Sequence, residues 1–571
     1  MILWHPLSRI LLTNYLGTCS NYQGEAFKMH HRLKLDNKTG AEFFQAFTDI
    51  PKNTTSLDLS YNGLDKRTGD ELAEAFQSIP AGVSSIDLRN NFLGRKPVSE
   101  LKKAFAAIPA GVTSLDLGVN WLDALTATDL AEVFQSIPGG VNSICLHGNL
   151  LDKRTADEWV QILKALPAGL SSLDLSFNGL GSKTSAEFVK ILQAIPAGVT
   201  SLNLRDNDLG SDKTCTELAE IFKEIPPGVT SLNLSGNKFD EKTGSELAKI
   251  FSAIPANIIS INLSSNGLGD KTGPELAKIL SAIPVGVTSL DLSFNRLHKQ
   301  NGDELARAFK SIRADITSLN LRGNALHNKT DAELAKAFRA IPCSVNSLDL
   351  SDNRLWLKTG IELANILKAI PAGVTSLNLS CNALYHKTPE ELAQIFKAIP
   401  TGVTSIDLRE NCLGDKTGAE LAKLIAVMPV NVKSVSMDDR NINLTGFQKG
   451  LYNSIQKIGN EIARLKTSGS SKGSFLVNMG VIEASDTKTK AFEELETILI
   501  NRTLDNKTTT DDFHDELLKW KEANLECISK QRNCLHSFFS PGHKPIAAIT
   551  VEKIFAALGV AETSATAKST L

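Results

Sequence analysis

Neither sign of charge dominates this chain of 571 residues, whose 61 Lys and Arg face 63 Asp and Glu for a formal net charge of −2. Without a basic stripe or an acidic block, neither nucleic acid nor another charged polymer is favoured as a partner. Long apolar runs are missing too. None approaches the ~18 residues of a membrane span, so no span is expected. The eight cysteines, at 19, 145, 215, 343, 381, 412, 527 and 534, form no C-x-x-C pair and no zinc-finger spacing. They read as reduced, cytosolic thiols.

Catalytic signatures are equally scarce. No H-E-x-x-H, G-x-S-x-G or G-x-G-x-x-G stands in a context that would give it chemistry. The string "GLGSKT" (residues 179 to 184) lacks the Gly-Lys-Ser/Thr adjacency of a phosphate-binding loop, and its repeat register accounts for every residue in it. His30 and His31 are an isolated pair without a carboxylate or cysteine pattern, and read as surface rather than metal ligands. No cofactor and no metal are expected.

What the chain has is repetition. The asparagine of an L-x-L-x-x-N phrase recurs at Asn62, Asn91, Asn120, Asn149, Asn178 and Asn207, and after one inserted residue at Asn237, Asn266, Asn295, Asn324, Asn353, Asn382 and Asn411, a step of 29 residues almost throughout. In "VTSLNLSGN" (229 to 237) Val229, Leu232 and Leu234 point inward while Ser231 and Asn233 point out, which predicts a half-exposed strand. The asparagine then turns inward, where its amide can satisfy the backbone of the turn and of the neighbouring repeat.

The second half, "TGSELAKIFSAIP" (243 to 255), predicts a helix. Thr243 and Glu246 make a capping box, Leu247, Ala248, Ile250, Phe251 and Ile254 an apolar face, and Pro255 a stop. The box returns at Thr68/Glu71, Thr184/Glu187, Thr272/Glu275, Thr359/Glu362 and Thr417/Glu420. Neither element can bury its apolar face alone, so each repeat is stabilised by its neighbours. Parallel strands stack ~4.8 Å apart and packed helices ~8 to 10 Å, so the array is expected to curve with its strands inside, as a horseshoe.

On these residues, the L-x-x-L-x-L-x-x-N-x-L strand and turn followed by a full helix, the chain resembles the leucine-rich-repeat family of the ribonuclease-inhibitor type. The resemblance covers residues 33–441. The phrase "AIPAGVTSLNLSxNxLxxKTxxELAxIF" is similar to leucine-rich-repeat effectors that intracellular bacteria deliver into host cells by type IV secretion of the Dot/Icm kind. That likeness implies a virulence protein of the bacterial cytoplasm that is secreted into host cytosol and works through protein contacts. The expected fold class is α/β, a leucine-rich-repeat solenoid with concave strands and convex helices, followed by a small all-α module.

The flanks read differently. The opening "MILWHPLSRILLTNYLGTCS" is apolar, yet Arg9 interrupts it, no charge precedes it, and Thr18 before Cys19 fits a lipoprotein cleavage site poorly, so residues 1–32 read as an N-terminal cap. Past the array, "SVSMDDRNINL" (434 to 444) is a degenerate last strand. In 442–466 Phe447, Leu451, Ile455, Ile458, Ile462 and Leu465 predict a capping helix, and 467–474 is a linker rich in Ser and Gly. Residues 475–560 read as a helical module, with Phe492, Leu495 and Leu499 on one helix and Phe513, Leu517, Trp520 and Leu525 on another. The tail, 561–571, is too poor in apolar residues to fold and resembles a translocation signal of the suspected effectors.

Some effectors of this kind are ubiquitin ligases with a catalytic cysteine in a C-terminal helical domain, which makes Cys527 and Cys534 the candidates. Neither sits in the C-x-D sequence of that class, and both read as core thiols. A GTPase regulator is a second analogy of fold, which does not fix function. The chain is therefore read as a non-enzymatic, monomeric interaction scaffold, with ligase or GTPase-regulator activity as the alternative.

Residues 29 apart stand side by side, so the repeats can be read as columns. Four before the asparagine run Asp58, Asp87, Asp116, Cys145, Asp174, Asn203, Asn233, Asn262, Asp291, Asn320, Asp349, Asn378 and Asp407, a polar ladder able to hydrogen-bond laterally. Two before it, serine gives way to Arg89, His147, Arg205, Arg322 and Arg409, read mainly as neutralising that ladder, with Arg322 and Arg409 kept as partner contacts. Three after it the slot is Gly or Asp until four consecutive repeats place His298, His327, Trp356 and Tyr385 there. Phe92, Trp121 and Leu150 follow the asparagine directly in three early repeats. Loops on a rigid scaffold concentrate binding residues, and Trp and Tyr are enriched at hot spots. His298, His327, Trp356, Tyr385, Phe92, Trp121, Arg322 and Arg409 are thus the expected contacts for a host protein.

Overall fold

Each repeat begins with three to five extended residues, in most a buried side chain between two half-exposed ones, as in Ser231–Asn233 and Ser289–Asp291. The computed structural model describes residues 29–413, 424–425, 427–429, 431–437, 440–443, 485–504 and 510–529. The expected capping helix, linker and tail, the Thr417/Glu420 box, Cys534 and most of the N-terminal cap lie outside them.

The chain divides into two compact units, Met1–Asp208 with Glu224–Leu232, and Leu209–Lys223 with Asn233–Leu571. In the first, the strands from Met29–Arg32 to Ser201–Asn203 pair parallel, each with the next along the chain. In the second, the strands from Ser260–Asn262 to Ser434–Met437 do the same. Register is fixed because equivalent residues pair, Ser with Ser and Asp or Asn with Asp or Asn. The expected degenerate last strand is two strands: Arg440–Asn443 turns back antiparallel on Ser434–Met437.

The buried asparagines bind repeat to repeat. The Oδ1 of Asn353 accepts from the backbone N–H of Asn324 at 3.0 Å and of Leu326 at 3.3 Å, and its Nδ2 donates to the carbonyls of Leu321, Leu350 and Ser351 at 3.1 Å each. Both amide ends are satisfied without water, the condition for burying a polar group cheaply. After the asparagine comes a left-handed residue, a three-residue 3-10 turn such as Leu355–Leu357, and a helix capped by the predicted Thr–Glu box. The inserted residue near Asn207 is absorbed there, as a four-residue helix, Leu209–Asp212.

The helices bury Leu, Ile and Phe on the side toward the strands, Leu363, Ile366 and Leu367 being at most 1% exposed. Each such side chain contributes about 1.5–3 kcal/mol. In the C-terminal module, Ser485–Leu504 and Thr510–Ser529 pack through Phe492, Leu495, Leu499, Leu517 and Trp520, and the Trp520 Nε1 donates to the Ala491 carbonyl at 3.2 Å. Among the described residues no helix is long and apolar enough to cross a membrane.

Candidate rim site

The slot three after the asparagine lies inside the 3-10 turn, against the next repeat's backbone. Where it holds glycine the repeats approach closely: a Cβ on Gly94, Gly210 or Gly269 would stand 1.9, 2.3 or 2.2 Å from a carbonyl oxygen of the next turn. Accordingly the backbone N–H of Gly94, Gly181, Gly210 and Gly269 reaches the next repeat's asparagine carbonyl in 2.8–2.9 Å, whereas from His298, His327, Trp356 and Tyr385 the same bond measures 3.1–3.4 Å. The longer bond goes with having a side chain rather than with a ring, since Asp65 in the same slot also measures 3.1 Å.

The four rings do not form one cluster. The Nδ1 atoms of His298 and His327 lie 3.2 Å from the carbonyls of Asn324 and Asn353, which ties each half-buried imidazole to the neighbouring turn. Burial, ahead of the nearby cations, holds His327 below the usual histidine range, so it stays neutral at pH 7. Trp356 and Tyr385 are brought together instead by His386, whose ring centroid lies 4.6 Å from Trp356 and 4.0 Å from Tyr385, with planes tilted by 34° and 33°.

Around this stack the surface is apolar. Leu357 is 49% exposed, Ile361 65% and Tyr385 43%. Leu357 and His386 occupy the slot four after the asparagine, held in other repeats by basic, acidic or small residues such as Lys66, Arg95, Asp270 and Ser182, and Ile361 the slot eight after it, held by acidic or small ones such as Asp70, Asp157, Asp303 and Ser245. Sequence reading missed all three. Comparing those two columns would have found them.

The early cluster is built on another slot. Phe92, Trp121 and Leu150 adopt left-handed backbone, with φ of 56°, 58° and 58°, at the position where Gly63, Gly179 and Gly267 stand in other repeats. A left-handed L-residue costs roughly 1–2 kcal/mol. Phe92 and Trp121 meet edge to face at 5.3 Å, and the Arg95 guanidinium lies over both rings, 4.7 and 4.4 Å from their centroids.

The arginine column divides. Arg89 and Arg409 clamp Asp87 and Asp407 of their own repeats through Nε and Nη2, as the sequence suggested. Arg205 and Arg322 lie over Phe177 and Phe294, each 5.7 Å from the ring centroid, and pair with carboxylates outside the ladder, Arg205 with Asp206 at 2.6 Å and Arg322 with Asp352 at 3.8 Å. Gly323 makes room for Phe294, since a Cβ there would come within 2.3 Å of the ring. The polar ladder bonds laterally where Asn follows Asp: Asn203 to Asp174 at 2.7 Å, Asn320 to Asp291 at 3.0 Å, and Asn378 to Asp349 at 2.9 Å.

Neither a protein-family model nor a curated protein matches the chain. Among solved structures it is similar to the leucine-rich repeat-containing protein LegL7 from Legionella pneumophila, with 30% identity over 73% of this chain and 93% of that one and a TM-score of 0.31. A chain of the Rad7 and Elc1 complex in yeast matches at 16% identity over 60% of this chain and 84% of that one, with a TM-score of 0.38. The sequence shared with the Legionella protein, together with the repeating strand–turn–helix unit, makes the chain a member of the leucine-rich-repeat family.

Proposed function

We propose that this leucine-rich-repeat protein is a translocated bacterial effector that binds a host protein through the rim formed by Trp356, Leu357, Ile361, Tyr385 and His386. One observation carries the reading. Large apolar side chains stand exposed in columns that are otherwise charged or small, on a scaffold that does not need them. Trp and Tyr offer rigid contact area with a polar handle each, and burial of such a residue at a hot spot is worth about 2 kcal/mol or more.

The Legionella likeness supports a bacterial source. Delivery into host cytosol rests on the phrasing of the repeats and on the polar tail at 561–571. No residue of the repeats needs a catalytic role in this reading. Cys527 stands on the helix Thr510–Ser529, and the alternative of a ligase activity would depend on it or on Cys534.

The test is capture from host-cell lysate by full-length protein and by a variant carrying Trp356→Gly, Leu357→Lys, Ile361→Asp and Tyr385→Asp, each residue taken from another repeat. A host protein retained by the first and lost by the second, with thermal midpoints within a few degrees, supports the reading. Equal capture by both would move the docking surface elsewhere.

A further inference from the structure

The strand face of the first unit carries a second departure from the repeat pattern. In the column four before the asparagine, Cys145 alone is neither Asp nor Asn. In the column two before it, only Gly118 and His147 are neither Ser nor Arg. All three exceptions fall in two adjacent repeats. Strand pairing sets Asp116 directly against Cys145, and Cys145 lies two residues before His147.

We propose that Asp116, Cys145 and His147 form a binding site for a zinc-type divalent cation. The Cys145 Sγ lies 3.0 Å from the His147 Nδ1, the same nitrogen lies 3.9 Å from the Asp116 Oδ1, and the three ligand atoms are all within 4.8 Å of one another. Zinc takes thiolate sulfur at about 2.3 Å and imidazole nitrogen or carboxylate oxygen at about 2.0–2.2 Å, which sets tetrahedral edges of about 3.3–3.6 Å. The sulfur–nitrogen and nitrogen–oxygen edges straddle that range by a few tenths of an ångström, and the sulfur–oxygen edge, at most 4.8 Å, closes by side-chain rotation on binding.

Gly118 is the fitted part. A Cβ at this position would stand 2.0 Å from the Cε1 and 2.1 Å from the Nδ1 of His147, so the Ser or Arg of other repeats is incompatible with the ring where it lies. The neighbouring charges are settled. Arg89 clamps Asp87 and reaches the second oxygen of Asp116, with Nε 3.3 Å from Oδ2, which leaves Oδ1 to the site. Oδ1 also accepts from the Gly118 N–H at 2.9 Å, a bond that orients the carboxylate. Asp174, on the other side of Cys145, is held by Ser176 and Asn203 and is not a ligand.

The donor set of one sulfur, one nitrogen and one oxygen suits zinc or cobalt over magnesium or calcium, which require oxygen alone. All three side chains are half-buried. A nucleophilic cysteine is disfavoured by the same geometry, because thiol and carboxylate meet one ring nitrogen and not opposite ones. On binding, the Cys145 thiol releases its proton to solvent as the sulfur–metal bond forms.

The test uses the full-length chain without an affinity tag, stripped with a chelator and titrated with Zn2+ by calorimetry and with Co2+ by visible absorption. Cys145→Asp with His147→Ser restores the residues of neighbouring repeats, so the fold is retained, and the other cysteines and histidines are the same in both arms. The wild type is expected to bind one more equivalent of Zn2+ than this variant and to show a thiolate-to-cobalt charge-transfer band that the variant lacks. Gly118→Ser, which crowds the ring, should weaken that equivalent tenfold or more. Equal stoichiometry and affinity in wild type and double variant, or no Zn2+ bound by the wild type, overturns the site.

Discussion

Large apolar residues reach the strand-to-helix turn in both units, and the backbone beneath them differs. In the first unit Phe92, Trp121 and Leu150 occupy the left-handed slot itself, and Arg95 lies over the two rings. In the second, Arg354 and Ala383 take the left-handed slot, and the bulky residues follow in the 3-10 turn, on backbone that any side chain adopts. The early cluster sits on the left-handed residues themselves and closes on its own cation. The late one leaves the left-handed cost to Arg354 and Ala383, stacks on His386, and leaves Leu357 and Ile361 open. Exposure alone does not separate the two clusters, since Trp121 is 40% and Leu150 52% exposed; the slot that carries the bulk and the Arg95 cover do.

The largest effect comes from breaking what both clusters stand on. Asn353→Ala leaves the N–H groups of Asn324 and Leu326 and three carbonyls without the side chain that pairs them. Some of these groups keep a backbone partner, as the Ser351 carbonyl keeps the Gly323 N–H at 3.1 Å, and each one left unpaired costs about 1–3 kcal/mol, so a loss of at least about 3 kcal/mol is expected in urea unfolding. A change below about 1 kcal/mol would mean that the ladder is not what holds the turns.

A smaller effect separates the clusters. Leu150→Gly relieves a left-handed leucine that is 52% exposed, and should raise stability by about 1 kcal/mol. Leu357→Lys, on ordinary backbone and 49% exposed, should change it by less than about 0.5 kcal/mol. Thermal midpoints that move alike would erase the distinction.

The smallest is a pH effect beside the late cluster. His327 is held below its ordinary pKa, chiefly by burial, so the folded state favours the neutral ring. That contribution is present above the unfolded value near ~6.5 and is lost as pH falls through the lower folded value. Between pH 7 and pH 5 the wild type should lose more thermal stability than His327→Gly. Parallel curves would show that the imidazole titrates freely.

Much of this was legible because identical residues recur 29 apart. The inward asparagine, the capping box and the alternating strand each follow from one repeat and are tested by the next. The lateral Asp–Asn bonds were also readable, since Asn203, Asn320 and Asn378 each follow an Asp in their column. What a column cannot show is contact between different slots. Trp356 meets His386 one slot further on in the next repeat, and Cys145 and His147 meet across a column from Asp116. Arg205 and Arg322 were read as neutralising the ladder; they pair with Asp206 and Asp352 outside it, and the rings of Phe177 and Phe294 one repeat earlier lie within reach. His298 and His327 looked like free rim rings because the carbonyls that hold them belong to the following turn.

The most direct test of the rim comparison is the dissociation constant of the captured host protein, measured by calorimetry against two variants. One carries the four late-rim reversions, the other Phe92→Gly, Trp121→Gly and Leu150→Gly. The account predicts at least tenfold weaker binding for the late-rim variant, with the early-rim variant within twofold of wild type. Unchanged affinity in the late-rim variant, or a larger loss from the early-rim one, would contradict it.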